Sequence, residues 1–385
     1  MKIISLRLKN NFWEWDFDEI NFSSNLTLLV GVSGAGKTQI LRAIIDLRRI
    51  ANGTAINGFE WKIIFSTVHG TEFIWEGGFD TVEKNELSFE DDEKEKQDER
   101  EKSSLIYEKL TSNNQVLIER DLKEIRYKGS SMPKLSSHQS MIYILKEETV
   151  IKEAFDALNK IEYRDHTKTI HGRRFIISSN QSLHSLKNKY KTLDSVVNSD
   201  EDIRTKLYLT YENKLDIYEK IKSRFIDIFP QIGDIKVEPY KTDIFPKAIA
   251  ERIQPGISIK EKSVQKWIIE ERMSSGMLRT IIHIAEIFLA NEGSVILIDE
   301  FENSLGINCI DILTDDLIHE NKTLQFIATS HHPYIINNIP YEYWKIVTRQ
   351  GGHIRICNAS DYHLGKSKQD AFIQLTKILE KQSLV

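Results

Sequence analysis

Gly31-Val32-Ser33-Gly34-Ala35-Gly36-Lys37-Thr38 fits the phosphate-cradling pattern Gly-x-x-x-x-Gly-Lys-Ser/Thr at every position. Its flanks fit as well. Asn25 to Val30 is β-branched and apolar and predicts a short buried strand. Gln39 to Ala51 predicts a helix with Ile40, Leu41, Ile44, Leu47 and Ile50 on one side, closed by Asn52-Gly53. In that context the glycines let backbone N–H groups turn inward on phosphate oxygens, and the helix N-terminus adds partial positive charge. Lys37 is placed to reach the β- and γ-phosphates, and the Thr38 hydroxyl to hold Mg²⁺. Gly31, Ser33, Gly34, Ala35, Gly36, Lys37, Thr38 and Gln39 are the candidate nucleotide contacts. A glycine-rich turn that binds nothing is the competing reading, and the correct flanks weigh against it. The stretch implies a nucleoside triphosphate.

The bulk numbers leave room for such a site. A chain of 385 residues suffices for one large α/β domain with an inserted subdomain, or for two domains. Apolar residues at 40% and charged residues at 28% give an ordinary globular balance. No apolar run approaches the roughly 20 residues that cross a bilayer. Met1-Lys2-Ile3-Ile4 leads straight into strand-like alternation, without a secretory h-region. Cys309 and Cys357 show no metal or redox spacing and are expected to be reduced core residues of a cytoplasmic protein. A net charge of −5 argues against a surface wholly given to nucleic acid, while leaving room for a local basic face.

Met1 to Leu8 predicts a strand, Ile20 to Phe22 a second, and Trp61 to Trp75 a hairpin turning near His69-Gly70. Of the aromatics Phe12, Trp13, Trp15 and Phe17, one could stack on a nucleotide base; the alternative is packing on a sheet. Residues 83–102 are dense in both charge signs and predict a solvated excursion. Val116 to Tyr127 alternates like a strand, Val150 to Ile161 reads as a helix, and Arg173 to Ser178 as a strand. Between Arg164 and Lys191 basic residues outnumber acidic ones; a solvated helix face and a phosphate- or acid-binding face both fit. Ser199 to Asp202 resembles a capping arrangement for one helix running to about Phe229, where Pro230 stops it. Gly233 to Pro239 and Ile257 to Ile259 are short strand candidates.

The second half of the site lies far downstream. Val295-Ile296-Leu297-Ile298-Asp299-Glu300 reads as a buried parallel strand ending in two acids, and α/β sheets place ligands at that end. Asp299 would order Mg²⁺, and Glu300 could orient and deprotonate an attacking water. Ser274-Ser275-Gly276 opens an apolar helix from Leu278 to Leu289, either as plain capping or as an anion site. A further strand, Leu324 to Ala328, runs into Thr329-Ser330-His331-His332-Pro333, where His331 can reach a γ-phosphate. A zinc pair at His331-His332 lacks a third ligand at metal spacing.

Taken in order, Gly31 to Thr38, Gln139, Ser274-Ser275-Gly276, Asp299-Glu300, Asn303-Ser304-Leu305 and His331 resemble the ABC-type ATPases. They correspond to the Walker A, Q-loop, signature, Walker B, D-loop and switch histidine of that group. The 237 positions from Lys37 to Ser274 resemble the SMC and RecF group, in which a subdomain interrupts the head. Asp299 to Leu305 and Ala328 to Pro333 are most similar to OLD-type ATPases, including the ATPase subunits of anti-phage systems such as PARIS and Septu. The similarity covers roughly 1–145 and 262–345 and is weak between 150 and 260; Phe301, Gly306 and Met273 depart from the family pattern. The implied fold is an α/β ABC-type P-loop head, a mixed β-sheet with helices, interrupted by a mostly helical insert. Its expected divisions are an N-terminal lobe at 1–145, the insert at 146–261 and a C-terminal lobe at 262–385.

The resemblance implies ATP and Mg²⁺, with Thr38, Asp299 and Gln139 around the metal and Lys37, Glu300 and His331 as catalytic groups. It implies a homo-oligomer in which Ser274, Ser275 and Gly276 of one chain meet the γ-phosphate held by Lys37 of another. OLD nucleases carry a Toprim domain beyond the switch histidine, and the 45 residues after Pro340 leave no room for one. No His-Asn-His nuclease pattern or nucleophile elbow occurs either. The expectation is therefore an ATPase that senses or scaffolds for a separate effector, a nuclease or another toxin. The charged excursion and the insert are the expected partner and trigger surfaces. Two other classes stay open: a RecF-like clamp that binds DNA, and a transporter energiser, against which the Lys37–Ser274 spacing argues.

Overall fold

The computed structural model describes residues 1–83, 103–164, 182–239, 255–302, 323–332, 336, 338–362 and 374. The strands and helices in chain order are β1 (Lys2–Asn10), β2 (Trp15–Asn21), β3 (Leu26–Val30), α1 (Lys37–Ala51), β4 (Phe59–Ser66), β5 (Glu72–Phe79) and β6 (Leu105–Ser112). Next come β7 (Gln115–Arg120), β8 (Ile125–Tyr127), β9 (Ser130–Ser131), α2 (Met141–Ile144), α3 (Thr149–Asn159) and β10 (Ile161–Arg164). Then follow α4 (Leu183–Lys189), α5 (Leu193–Val197), α6 (Ile203–Glu212), α7 (Asp216–Ile228), β11 (Ile232–Glu238), β12 (Gly256–Glu261), β13 (Ile268–Ile269) and α8 (Ser275–Phe288). The chain continues through β14 (Val295–Ile298), β15 (Gln325–Ser330), β16 (Trp344–Gln350) and β17 (His353–Asn358).

These elements form two compact units, Met1–Arg164 with Glu292–Phe301 and Lys322–Val385, and Asp165–Asn291 with Glu302–Asn321. The first unit is built on a 14-stranded sheet in the order β10-β14-β15-β3-β16-β17-β2-β1-β4-β5-β6-β7-β8-β9. From β10 to β16 neighbouring strands run parallel. Every residue of β3, β14 and β15 is buried, the pattern of strands covered on both faces. Helix α1 packs Ile40, Leu41, Ile44, Leu47 and Ile50 into that core, and its Arg48 donates to the Ile161 carbonyl at 2.8 Å. From β1 through β9 the pairing is antiparallel and burial alternates, as in β4, where Phe59, Trp61, Ile63 and Phe65 point inward. The β4–β5 hairpin turns between Thr67 and Thr71 with Gly70 at φ +83°. Buried Gln325 joins the two halves: its amide exchanges hydrogen bonds with the Ile3 backbone at 2.7 and 2.8 Å and donates to the Ser23 carbonyl at 2.9 Å.

The second unit pairs helices with the three-stranded sheet β11-β12-β13. Asp202 caps α6, accepting from the Arg204 and Thr205 N–H groups. The single helix expected from Ser199 to Phe229 is two. Lys214 turns left-handed at φ +51°, Leu215 is extended, and the Asn213 side chain donates to the Tyr190 carbonyl at 2.7 Å. Periodicity survives the break because α7 buries Tyr218, Ile221 and Phe225, with the Tyr218 hydroxyl donating to the Ile235 carbonyl at 2.7 Å.

Other readings also shift. Val116 to Tyr127 is two strands around a turn, in which Asp121 accepts from the Lys123 and Glu124 N–H groups. Ile161 begins a strand rather than ending a helix. Cys357 is half-buried on β17, not a core residue. The compact units do not break at 145/146 and 261/262. Residues 146–164 stay with the first unit because β10 pairs with β14, and 262–291 join the second because α8 packs on α6 and α7. Residues 84–102, the Arg173 to Ser178 strand, Asn303-Ser304-Leu305, Cys309 and Pro333 lie outside the described residues.

Candidate nucleotide site

Parallel register gathers the site. Val30 pairs with Ser330 and Ile346, and Ala328 pairs with Ile298, so the chain leaves β3, β14 and β15 at one edge of the sheet. Gly31, Asp299 and His331 follow those strands directly, about 5 Å apart from strand to strand.

The loop after β3 is shaped by what glycine lacks. A Cβ on Gly31 would lie 2.3 Å from the Val347 carbonyl oxygen, so only glycine lets the loop pass β16. Gly36 caps α1 at φ +101°, and a Cβ there would press on Ile354. No side chain caps α1 and no acid occupies its first turn, which leaves its leading N–H groups and dipole to an anion. The Lys37 ammonium bridges the carbonyls of Gly31 and Val32 at 2.7 and 3.0 Å, lying across the loop it would serve. Ser33 and Gly34 are exposed at the loop tip, Ala35 is buried, and Gln39 is half-buried. These residues suit a triphosphate.

Three hydroxyls converge on the half-buried Asp299. Thr38 donates to Oδ1 at 3.1 Å and Thr329 to the same oxygen at 2.6 Å, while the Tyr163 hydroxyl lies 3.5 Å from Oδ2. Thr38 and Asp299 are 261 positions apart in the chain, yet they stand as a Mg²⁺ site would require, with phosphate oxygens completing the shell. Among the described residues no group of three or more His, Cys, Asp or Glu side chains is arranged to hold a metal without such help. Glu300 is exposed and left-handed at φ +50°, a conformation that costs a non-glycine residue about 1–3 kcal/mol. Its N–H donates to the Thr329 hydroxyl at 2.8 Å. Exposed His331 follows β15 beside the start of the glycine loop.

Gln139 is elsewhere. Its neighbour Ser140 donates from Oγ to the Ile50 carbonyl at 3.0 Å, at the far end of α1 from Thr38. Ile50 lies twelve positions along the helix from Thr38, about 18 Å at 1.5 Å per residue. The structure thus sets Gln139 apart from the contact of Thr38 with Asp299. Arg120 holds its segment by donating to the Gln139 and Ser136 carbonyls at 3.0 and 2.8 Å. The chain that reaches the site edge from this side is β10, which brings Tyr163. A helix carried through to Ile161 hides that strand; Asn159-Lys160 followed by the alternating Ile161 and Tyr163 is its signal in the sequence.

Ser274 caps α8, accepting from the Met277 N–H at 3.2 Å, and Ser274 and Ser275 are exposed at that helix N-terminus in the second unit. Trp13, 59% exposed, stacks on Trp15 with ring centroids 6.0 Å apart. Arg349 lies over the Trp15 ring at 5.8 Å, and Phe17 is buried in the sheet. His353 pairs with Asp16 and with Gln350 beyond the end of β3, which puts exposed Trp13 and half-buried Trp15 at the phosphate-loop edge.

Among solved structures, the crystal structure of an SMC head bound to the C-winged helix domain of ScpA matches with a TM-score of 0.52. Identity is 14%, with 93% of this chain and 97% of that one covered. The SMC head domain from Thermotoga maritima gives a TM-score of 0.44 at 13% identity, covering 93% of this chain and 99% of that one. The first likeness is one of fold: a large mixed sheet with helices, as in SMC-head P-loop ATPases. No curated protein matches the chain. Residues 26–337, which hold the glycine loop, the acidic pair and His331, match the family model described as "AAA domain, putative AbiEii toxin, Type IV TA system", and the chain belongs to that nucleotide-binding AAA family.

Proposed function

We propose that the protein hydrolyses ATP, that its heads pair around bound nucleotide, and that it acts as sensor or scaffold for a separate effector in anti-phage defence. The observation that carries the enzymatic part is the contact of Thr38 with Asp299, because it joins the phosphate loop to the acidic strand end. Lys37 and the first N–H groups of α1 would hold the phosphates. Thr38 and Asp299 would hold Mg²⁺, which when bound neutralises charge on the phosphate oxygens. Glu300, exposed at the strand end, takes a proton from water, and His331 faces the same edge. Exposed Ser275 and half-buried Gly276, at the start of α8, are the proposed cap on a neighbour's nucleotide.

Pairing of heads accords with the fold likeness, and the defence role with a family description that names a toxin of a toxin–antitoxin system. The test of pairing is the mass in solution of the Glu300→Gln variant with and without ATP and Mg²⁺. A nucleotide-dependent rise to a dimer or higher, abolished by adding Ser275→Arg, is expected. One mass under both conditions would remove the paired-head reading.

A further inference from the structure

One residue holds three consecutive positions at the end of the acidic strand, two through its side chain and one through its backbone, and it is not among those assigned above to phosphate, metal or water. Thr329, near the end of β15 and 1% exposed, has its hydroxyl oxygen 2.8 Å from the Glu300 nitrogen and 2.6 Å from Asp299 Oδ1. Its carbonyl accepts from the Phe301 N–H at 3.0 Å. The direction of each bond is fixed by chemistry. An N–H can only donate and an ionised carboxylate can only accept, so the single hydroxyl proton must lie toward Asp299 while a lone pair receives Glu300. The contact therefore does two things. It fixes the carboxylate oxygen that also accepts from Thr38, and it pins the backbone of Glu300 in its left-handed conformation at φ +50°.

We infer that Thr329 is a positioning residue for hydrolysis, setting through one hydroxyl both the orientation of Asp299 toward the cation and the direction in which Glu300 presents its carboxylate. This rests on the ATPase reading. The competing account is packing: a β-branched residue filling a buried strand position. The two accounts rank the same substitutions in opposite orders. Thr329→Val keeps the shape and the strand preference and removes both hydroxyl bonds. Thr329→Ser keeps the hydroxyl and loses a methyl group.

The experiment measures kcat, KM for ATP and the Mg²⁺ concentration for half-maximal rate in the full-length wild type and both variants, alongside thermal melting. Positioning predicts a Val variant that melts near the wild type yet turns over about 10–100-fold more slowly, the range seen when a partner behind a ligand is removed. KM should stay within about 3-fold, since phosphate grip is untouched, and the Mg²⁺ requirement should rise. The Ser variant should retain kcat. A folded Val variant at the wild-type rate, or a folded Ser variant slowed as much as Val, overturns the inference while leaving the ATPase reading intact. If the Val variant fails to fold, the Ser variant decides alone: wild-type kcat supports positioning and a loss beyond about 10-fold overturns it. A wild type without ATP hydrolysis removes the ATPase reading itself, and the inference with it.

Discussion

The two halves of the large sheet place their acids differently and for different ends. In the parallel half, β3, β14 and β15 are buried throughout, and the polar groups that matter come just after the strands stop. Asp299 stands there with its hydroxyl partners and Glu300 is open to solvent. In the antiparallel half, Glu108 lies inside the sheet at 1% exposure. It accepts from Trp75 Nε1 at 3.0 Å and from the Met141 N–H at 2.6 Å, with Arg120 nearby. Burial pushes its carboxyl up to about 7, against the opposing pull of those donors and of Arg120. A perturbed buried acid is often taken as the mark of an active site. Here it ties the meander to the α2 segment, while the proposed chemistry sits on an exposed strand end.

Substitutions can break that contrast. The largest expected effect is in the parallel half: Lys37→Ala should lower ATP turnover by about 100-fold or more, with a smaller effect on melting temperature, since the ammonium lies half-buried against the loop carbonyls of Gly31 and Val32. In the antiparallel half the expected effect is on stability and follows pH. The Glu108 carboxyl sits above its ordinary 4.5 when folded, so the folded chain binds more protons than the unfolded chain between about 4.5 and 7. That contribution is fully present below about 4.5 and is lost as pH rises through about 7, a change on the order of 2–4 kcal/mol. Glu108→Gln should flatten this part of the denaturation-versus-pH curve without altering kcat. An unchanged slope would show that other groups set it. The smallest effect sharpens the division: Gln139→Ala should leave turnover within about 2-fold, since an α1 length separates it from Thr38. A large loss there would return Gln139 to the site.

What the sequence showed was local. The glycine loop, the four-residue β14 and the β4–β5 hairpin each carry their signal within a short window, as apolar runs, turn glycines or a fixed spacing. What it hid depends on register or on a single backbone angle. Lys214 turns left-handed without the glycine that would announce it, so α6 and α7 read as one helix. Tyr163 and Thr329 meet Asp299 only because β10, β14 and β15 pair in parallel, a relation no window contains. Gln139 had the right order in the chain and the wrong end of α1. Motif order was legible; which segment reaches the sheet edge was decided by strand pairing.

In the proposed reaction Glu300 takes a proton from water at a site where Lys37, Thr38 and Asp299 would hold Mg²⁺-ATP. The most direct measurement is phosphate release by the Glu300→Gln variant beside its affinity for Mg²⁺-ATP. Release lowered by about 10²–10⁴-fold with affinity preserved is the expected result. Release at the wild-type rate would contradict it.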